Sequence, residues 1–486
     1  MKIVTATAMR ELDRRTIDGG YVSGRELMKR AGEACADEIL DFVEGLPKKS
    51  CRRIIILCGK GNNGGDGYVI AKALDEESNL EITVLNLFEP ESFSSDSAYH
   101  FEQIPKSVKL VKDWQLSHGD CVIDCLLGTG TKGGLREPYL SIVRELSEIH
   151  LPTVAIDICS GVNGDDGSIE NLAVEADLTI CIGLPKSGNV YGQGGEVSGL
   201  LRCVDIGFPK DLEAELSSEG ELFMEENTLA LRKRPSASSH KYSKGTVFVV
   251  GGSDCYSGAP LLAVEAAMRS GAGMGKVLMP SYTGDLPRRS LATVQIPYIT
   301  DKGVLDESAF SLFKEHWKDG ASLVIGPGMK GVEEEKALFL ELLEIDADLV
   351  IDAGALGFVA EFQDQLSHHC ATVVLTPHEG ELKKLMFELY GHKNIDDLSV
   401  KELSQDLDAI IVKKGRLTRV FSPEGKLSIN SSGSIALATA GTGDILAGMV
   451  GSSLNHKKMS PYQAVNLAVY QHGTLSLNTA IADDFL

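Results

Sequence analysis

The stretch IIILCGKGNNGGDGYVIAKAL, residues 54–74, decides the fold of the first half of the chain. It runs from an apolar segment of strand length, through a glycine-rich turn, into an amphipathic helix. Such an apolar run is typical of a parallel strand that is buried on both faces. At the turn, unpaired backbone N–H groups and the helix dipole attract a phosphate or another polar ligand. Gly59, Gly61 and Gly64 fit a GxGxxG pattern, but this pattern alone is weak evidence because it arises by chance in glycine-rich chains.

Further apolar runs alternate with helix-like stretches on both sides of a polar segment. The first series includes residues 81–88, 119–128 and 152–158 and extends to about residue 207. Residues 208–239 are polar, charged and poor in strands, which is typical of a linker. The alternation then resumes and continues to residue 486. The sequence therefore predicts two α/β domains with largely parallel sheets, at residues 1–207 and 240–486.

Composition excludes several classes of protein. With 486 residues, 43% hydrophobic and 24% charged, the chain suits a soluble globular protein. Its formal net charge of −22 repels nucleic acid and anionic membranes. The first residues lack the apolar core of a signal peptide, and no stretch reaches the roughly 18 apolar residues of a membrane helix. The ten cysteines form no CxxC pair. We expect a cytoplasmic protein with free thiols that binds neither nucleic acid nor a membrane.

The glycine-rich turn carries an unusual run of polar residues. Two amides and a carboxylate close together can bind hydroxyl groups, a carboxamide or a cation, although a polar turn with a helix N-cap is the alternative. The run consists of Asn62, Asn63, Gly64, Gly65 and Asp66.

Other polar residues lie where ligands of parallel sheets collect, at the carboxyl ends of strands. Asp124 lies within an apolar run and Asp157 closes the next one. A buried aspartate needs a partner, either backbone N–H groups or a metal ion. The oxygen-bearing side chains of Asn63, Asp124 and Ser160 would suit a hard cation. Asp157 could instead cap the following turn, and Lys132 could be an ordinary surface lysine.

Five segments of the first half together resemble the epimerase domain of the NAD(P)H-hydrate repair family. They are MKIVTATAMRELDRR (1–15), LMKRAGEA (27–34), GKGNNGGDG (59–67), VIDCLLGTG (122–130) and DICSG (157–161). The resemblance implies a Rossmann-like three-layer αβα domain that interconverts the R and S hydrates at C6 of the damaged nicotinamide ring. It also implies potassium on Asn63, Asp124 and Ser160. One departure is Cys159, because the family usually has proline there.

Asp157 is the expected acid/base residue of this reaction, with Lys132 a weaker second candidate. The residues that the resemblance places against the hydrate lie on three loops: Asn62, Asn63, Gly64, Gly65, Asp66, Gly128, Thr129, Gly130, Thr131, Lys132, Gly133, Gly134 and Asp157.

In the second half, ATAGTGDILAGMVGSSL, residues 438–454, places a glycine-rich turn before a helix with an aspartate in its first turn. Backbone N–H groups of Gly441, Thr442 and Gly443 can face a transferring phosphoryl group while Asp444 receives a proton from an attacking hydroxyl. The alternative is a helix start whose aspartate merely matches the dipole. No GxxxxGK[ST] motif is present, which argues against a P-loop enzyme.

Together with AGTGD, segments such as HKYSKG (240–245), GPG (326–328), TPHEGE (376–381) and KKG (413–415) resemble the ribokinase-like dehydratase domain of the same family. The resemblance implies dehydration of the S hydrate by phosphorylation from ADP or ATP, with Mg²⁺ on the nucleotide. Residues implied to contact the hydrate are Ala259, Gly328, His378 and Asp444. Those implied for the nucleotide are Lys414, Gly415, Arg416, Leu417, Thr418, Gly441, Thr442 and Gly443.

A departure from the family precedes AGTGD, where Ser434 to Leu437 replace the usual asparagine and Pro-Gly-Met. We expect a homo-oligomer whose partners are hydrated NADH or NADPH and ADP or ATP. A ribokinase-like small-molecule kinase fused to a nucleotide-binding module is the other enzyme hypothesis, and the first half could also be a non-catalytic sensor of dinucleotides.

Overall fold

The chain folds into two α/β units, Met1–Leu222 and Phe223–Leu486. The computed structural model describes residues 1–47, 51–231, 244–286, 292–433, 437–456, 458–475 and 481–486. The division between the units lies inside the predicted linker 208–239. The exact domain limits given above stay a prediction.

The first unit contains a seven-stranded sheet in which all strands are parallel. Its strands are β2 (Arg53–Cys58), β3 (Glu81–Asn86), β4 (Lys109–Val111), β5 (Asp120–Cys125), β6 (Thr153–Ile156), β7 (Leu178–Ile182) and β8 (Leu200–Val204). The order across the sheet is β4-β3-β2-β5-β6-β7-β8. The chain therefore turns back between β2 and β5, where loops diverge and leave a crevice for ligands.

Helices cover both faces of this sheet, and a short antiparallel ribbon of β1 (Lys2–Ile3) with β9 (Gly220–Phe223) lies apart from it. The helices are α1 (Ala6–Asp18), α2 (Gly24–Gly45), α3 (Asn62–Glu77), α4 (Ser95–Phe101), α5 (Tyr139–Glu148), α6 (Ser187–Val190), α7 (Gly194–Val197) and α8 (Lys210–Glu215). Phe208 and Leu212 of the predicted linker are buried in the core of this unit.

The second unit contains a second, mostly parallel sheet. Its strands are β10 (Thr246–Val250), β11 (Met274–Ser281), β12 (Val294–Ile299), β13 (Ser322–Ile325), β14 (Leu349–Ile351), β15 (Val373–Leu375), β16 (Ala409–Lys413), β17 (Arg419–Phe421) and β18 (Leu427–Asn430). The order is β18-β17-β16-β15-β14-β13-β10-β11-β12, with antiparallel pairing at β16–β17 and β17–β18. The predicted α/β class is confirmed in both units.

The helices of the second unit begin with α9 (Glu225–Leu231), which lies in the predicted linker. The others are α10 (Gly258–Arg269), α11 (Ala309–His316), α12 (Glu333–Leu343), α13 (Gln363–Ser367), α14 (Glu379–Tyr390), α15 (Asp397–Asp406), α16 (Thr442–Leu454) and α17 (Pro461–Gly473). Helix α16 packs tightly on α10, because a Cβ at Gly448 would lie 1.9 Å from the carbonyl oxygen of Ala263.

Both sheets are buried on both faces, which explains the continuous apolar runs in the sequence. In β2, Ile54 and Ile56 belong to one apolar cluster, whereas Ile55 and Leu57 belong to the cluster on the opposite face. All ten cysteines are free thiols, and only Cys255 and Cys370 are exposed. Within the described ranges, no helix combines the length and the apolar character that a membrane crossing requires.

Candidate active sites

The first unit has a cavity of about 690 Å³ beyond the carboxyl ends of β2, β5, β6 and β7. It lies at the crevice between the loops that follow β2 and β5. Most of the residues predicted to bind the hydrate line it: Asn62, Asn63, Asp66, Gly128, Thr129, Gly130, Thr131, Lys132, Gly134 and Asp157. Gly64, Gly65 and Gly133 do not belong to its wall.

Two glycines of the GxGxxG pattern are required by packing. A Cβ at Gly59 would lie 1.8 Å from the carbonyl oxygen of Leu126, and one at Gly64 would lie 1.9 Å from that of Gly59. A Cβ at Gly61, in contrast, meets nothing within 4 Å. Gly59 thus lets the loops after β2 and β5 approach each other closely, and Leu126 of this contact lines the cavity.

Two residues before Leu126, Asp124 is fully buried and its carboxylate accepts three hydrogen bonds. Oδ1 accepts from Ser160 Oγ at 2.7 Å and from the backbone N–H of Leu126 at 3.1 Å, and Oδ2 accepts from the backbone N–H of Ser160 at 2.8 Å. Burial nevertheless raises the pKa of Asp124 to about 6, while the bonds from Ser160 and Leu126 oppose the rise. Cys159, which replaces the family's proline, is buried and leaves Ser160 joined to Asp124.

The fit of a potassium ion to this place depends on Asn63. Its Nδ2 donates to the carbonyl oxygen of Leu127 at 3.0 Å, while its buried Oδ1 has no hydrogen-bond partner among the described residues. An orphaned buried carbonyl oxygen is costly unless something pairs with it. Oxygen ligands beside a buried carboxylate suit a hard cation, so Asn63, Asp124 and Ser160 fit the predicted ion.

Asp157 follows β6 in a left-handed conformation, with φ of 70°. Such a conformation costs a non-glycine residue about 1–3 kcal/mol and is concentrated at functional sites. The carboxylate oxygen Oδ1 accepts the backbone N–H of Ile182 at 3.1 Å and also pairs with the ammonium of Lys186. The sequence analysis missed Lys186, although a lysine directly after the apolar run that forms β7 was a visible signal.

Two further carboxyl groups line the same cavity, and their protonation depends on burial. Burial raises the pKa of Asp13 to about 7, with Lys186 opposing the rise and Asp157 adding to it. Burial, then Asp157 and Asp13, likewise raise the pKa of Asp66 well above its usual range. Asp13 can therefore exchange a proton near neutral pH in this cavity. Lys132 also lines the cavity, but its side chain is exposed.

In the second unit, the loop before α16 forms the predicted cradle. Gly441 precedes the helix with φ of 93°. The backbone N–H groups of Thr442, Gly443 and Asp444 donate to no acceptor within the described ranges, as expected for a first helical turn that is open to an anion. The hydroxyl of Thr442 donates instead to the carbonyl oxygens of Leu437 and Thr439, at 2.8 and 2.9 Å.

Asp444 lies beside a half-buried lysine and a second aspartate. Lys414 Nζ is 2.9 Å from Oδ1 of Asp352, and a Cβ at Gly443 would lie 3.3 Å from the same Nζ. Burial and then Asp352 raise the pKa of Asp444 to about 7, with Lys414 opposing the rise. Burial alone would lower the pKa of Lys414, but Asp352 and Glu381 hold it above its ordinary value. Lys414 is thus a charged group beside the cradle.

The sequence analysis did not single out Asp352, although it follows the apolar run of β14 as Asp157 follows that of β6. The same reasoning could have found it.

Other predicted residues of this half also lie at strand ends. Gly328, with φ of 74°, follows β13, and a Cβ built on it would lie 3.1 Å from the Cβ of Ala259. His378 is exposed and caps α14, since its Nδ1 accepts the backbone N–H of Gly380 at 2.9 Å. Residues 415–418 form the turn between β16 and β17. Residues 434–436 of the departing segment lie outside the described residues.

Comparison with known proteins assigns a family to each half of the chain. Residues 247–483 match the NAD(P)H-hydrate dehydratase family, and residues 24–188 match the family described as YjeF-related protein N-terminus. The bifunctional NAD(P)H-hydrate repair enzyme of Moorella thermoacetica is 32% identical over 97% of this chain and 91% of its own length. The corresponding enzyme of Salinibacter ruber is also 32% identical, with the same two coverages.

A solved structure of similar sequence comes from Bacillus subtilis. It is an ADP/ATP-dependent NAD(P)H-hydrate dehydratase co-crystallised with ATP and Mg²⁺, and it is 28% identical with a TM-score of 0.44 over 55% of this chain and 96% of its own. The assignment of this chain to a family depends on the two relatives from Moorella and Salinibacter, because their similarity extends over both halves of the chain. The chain therefore belongs to the family of bifunctional NAD(P)H-hydrate repair enzymes.

Proposed function

We propose that the two units repair hydrated NADH and NADPH in two steps. The first unit interconverts the R and S hydrates, and the second unit dehydrates the S hydrate with ADP, giving AMP and phosphate, or with ATP. The observation that carries this proposal is the group at the start of α16, where open backbone N–H groups, the carboxyl of Asp444 and the ammonium of Lys414 lie together.

The dehydration begins with proton transfer to Asp444. The C6 hydroxyl loses its proton to this carboxylate, and the oxygen attacks the terminal phosphorus of the nucleotide while the bond to the bridging oxygen breaks. The open N–H groups of Thr442 and Gly443 and the ammonium of Lys414 stabilise the negative charge on the transferring group. The ring nitrogen then expels phosphate from C6, and loss of a C5 proton restores the dihydronicotinamide.

Residues around Asp444 divide the remaining tasks. Ala259, Gly328 and His378 would hold the hydrate, and the turn 414–418 would hold the nucleotide. Bound Mg²⁺ would neutralise the nucleotide phosphates. These assignments follow from the family and from the position of the residues at neighbouring strand ends.

In the first unit, Asp157 would exchange a proton with the hydrate, and the cavity walls would hold its nicotinamide and ribose. Asn63, Asp124 and Ser160 would hold potassium, which supplies positive charge beneath the cavity. The orphaned Oδ1 of Asn63 supports this placement. We further propose a cytoplasmic homo-oligomer. The ten free thiols support the location, and light scattering of the purified protein tests the assembly.

A single incubation tests both activities. The purified protein is mixed with R and S NADH hydrate, Mg²⁺ and ADP, and in parallel with ATP, while the absorbance of restored NADH is followed. We expect complete conversion, faster than spontaneous epimerisation allows. Conversion that stops when the S form is consumed would show that the first unit has no epimerase activity. A stable phosphorylated product without NADH would favour a kinase, and no conversion with either nucleotide would refute the proposal.

Asp444→Asn and Asp157→Asn separate the two sites. The first substitution should abolish dehydration and spare epimerisation, whereas the second should do the reverse. Each variant thus serves as the folding control for the other.

A further inference from the structure

Lys186 is the most completely buried charged side chain of the first cavity, with 1% of its surface exposed. Its ammonium donates to Oδ1 of Asp157 and to the carbonyl oxygen of Ile182, the latter at 2.8 Å. An ammonium has three N–H groups, and these two acceptors are its partners among the described residues. One N–H is therefore left for a ligand in the cavity that Lys186 lines.

The carboxylate of Asp157 likewise has hydrogen-bond donors on only one of its two oxygens. Its Oδ1 accepts from both Lys186 and the backbone N–H of Ile182, while its Oδ2 accepts from none of the described residues. The pair thus retains one unpaired donor and one unpaired acceptor, and both residues line the same cavity. If this buried ion pair only stabilised the fold, we would expect hydrogen bonds from the protein to occupy all donors of the ammonium and both oxygens of the carboxylate.

The backbone around this pair is firmly held. Asn189 accepts the backbone N–H of Lys186 through Oδ1 at 2.8 Å and donates Nδ2 to the carbonyl oxygen of Asp157 at 3.2 Å. One side chain therefore connects the two backbones. Such restraint keeps reacting groups within the narrow range of geometry that catalysis requires.

We propose that Lys186 is a catalytic residue of the epimerase site and acts as the proton donor that complements Asp157. This inference rests on the proposed function. In the hydrate, C6 is bonded to both the hydroxyl oxygen and the ring nitrogen N1. A proton acceptor, Asp157, can therefore act on the hydroxyl while the adjacent proton donor, Lys186, acts on N1.

The step conserves atoms and electrons. Asp157 takes the proton of the C6 hydroxyl, the C6–N1 bond breaks, and its electron pair goes to N1, which takes a proton from the ammonium of Lys186. The ring opens to an aldehyde and an N–H group. After rotation about the C5–C6 bond, N1 attacks the other face of the aldehyde carbon, the new hydroxyl oxygen regains its proton from Asp157, and N1 returns its proton to Lys186.

Lys132 was the lysine expected from the sequence, but its position suits this role less well. It lies on an exposed loop, whereas Lys186 contacts Asp157 directly. The other charged groups that face Lys186 are Asp13 and, through Asp157, Asp66, both in the same cavity. Asp157 provides the main negative charge that keeps the lysine protonated before reaction.

The test compares wild type, Lys186→Ala and Lys186→Arg as full-length chains, with the R hydrate of NADH and no nucleotide. Chromatographic separation of the R and S forms gives the epimerisation rate above the spontaneous rate. Arg53→Ala is the matched control, because Arg53 pairs with buried Asp120 in the same sheet and does not line the cavity. We expect Lys186→Ala to lower kcat at least about 100-fold with little change in KM, and Arg53→Ala to retain the rate.

Two further measurements distinguish a lysine that donates a proton from one that only maintains the structure of the site. Small primary ammonium ions should restore part of the activity of Lys186→Ala, and tetramethylammonium, which has no proton to donate, should not. Lys186→Arg keeps the charge beside Asp157 but holds its proton too tightly to donate it, so its kcat should stay low.

A wild-type rate in either Lys186 variant, a loss confined to KM, or equal rescue by tetramethylammonium would overturn the proposal. If Lys186→Ala does not fold, the epimerisation rate of Lys186→Arg tests the proposal: a low rate supports it, and a wild-type rate overturns it. A wild-type chain that does not epimerise would instead refute the proposed function itself.

Discussion

The Nζ of Lys414 lies 2.9 Å from Oδ1 of Asp352, and the same oxygen accepts the hydroxyl of Thr376 at 2.8 Å. Asp352 is buried, so this interaction fixes the position of the positive charge of Lys414 beside Gly443. The position of Lys414 beside the cradle thus depends on residues at the ends of β14 and β15.

Asp352→Asn should therefore slow dehydration without preventing folding. Asparagine can still accept a hydrogen bond but no longer pairs with the charge of Lys414. We expect kcat on the S hydrate to fall about 10- to 100-fold, with each factor of ten equivalent to about 1.4 kcal/mol. Asp306→Asn is the control, because Asp306 pairs with Lys302 at 2.9 Å in the same unit and lies outside the site. Equal rates for wild type and Asp352→Asn would contradict the positioning role.

The dehydration rate should depend on pH through Asp444. Its pKa is raised to about 7, first by burial and then by Asp352, while Lys414 opposes the rise. A base must be ionised to accept a proton, so kcat/KM should rise with pH and level off above about pH 7. Asp352→Asn removes a negative neighbour and should move the midpoint to lower pH. A profile that is flat between pH 5 and pH 8, values that bracket this pKa by about one to two units, would rule out Asp444 as the base.

Potassium should stabilise the first unit through Asn63. We expect the melting temperature to rise when KCl replaces choline chloride at equal ionic strength. At a potassium concentration 100 times its Kd, the stabilisation would reach about 2.7 kcal/mol. Asn63→Ala should abolish the effect. Asn62→Ala should retain it, because the Oδ1 of Asn62 already accepts the hydroxyl of Ser94 at 2.8 Å. A shift that persists in Asn63→Ala would place the ion elsewhere.

Gly59→Ala and Gly61→Ala should differ sharply in stability. A Cβ at Gly59 would lie 1.8 Å from the carbonyl oxygen of Leu126, whereas at Gly61 it meets nothing within 4 Å. Relief of that clash requires a backbone shift, so we expect Gly59→Ala to lower the free energy of unfolding of the first unit by about 3 kcal/mol or more. Gly61→Ala should leave it unchanged. Denaturant unfolding of both variants measures the difference, and equal stabilities would refute the packing argument.

The sequence predicted the buried strands well because their signal is local. The run at residues 54–58 lies within β2, and the GTGD turn opens α16 as expected. The exposed strand β4 and the ribbon of β1 with β9 were not predicted, because short half-exposed strands carry no continuous apolar pattern. Their pairing also depends on residues far away in the chain, as for Lys2 and Glu221.

The sequence predicted where the main residues of the candidate sites lie, but not all of their partners. Glycine turns and aspartates after apolar runs marked Asn63, Asp124, Asp157 and Asp444 correctly as residues at strand or helix ends. The pairing of Asp157 with Lys186, 29 positions further along the chain, appears only once β6 and β7 lie side by side. The sequence analysis offered Lys132 as a weaker second candidate beside Asp157 and did not consider Lys186.

The reversal of strand order between β2 and β5 has an evolutionary consequence. Because the crevice arises from the path of the chain, insertions or deletions in the surrounding loops can alter ligand preference while the buried strands keep their sequence. Relatives with the same sheet can therefore diverge in substrate choice by exchanging the segment at residues 128–134, which makes that segment the natural place to begin redesigning this scaffold for other dinucleotides.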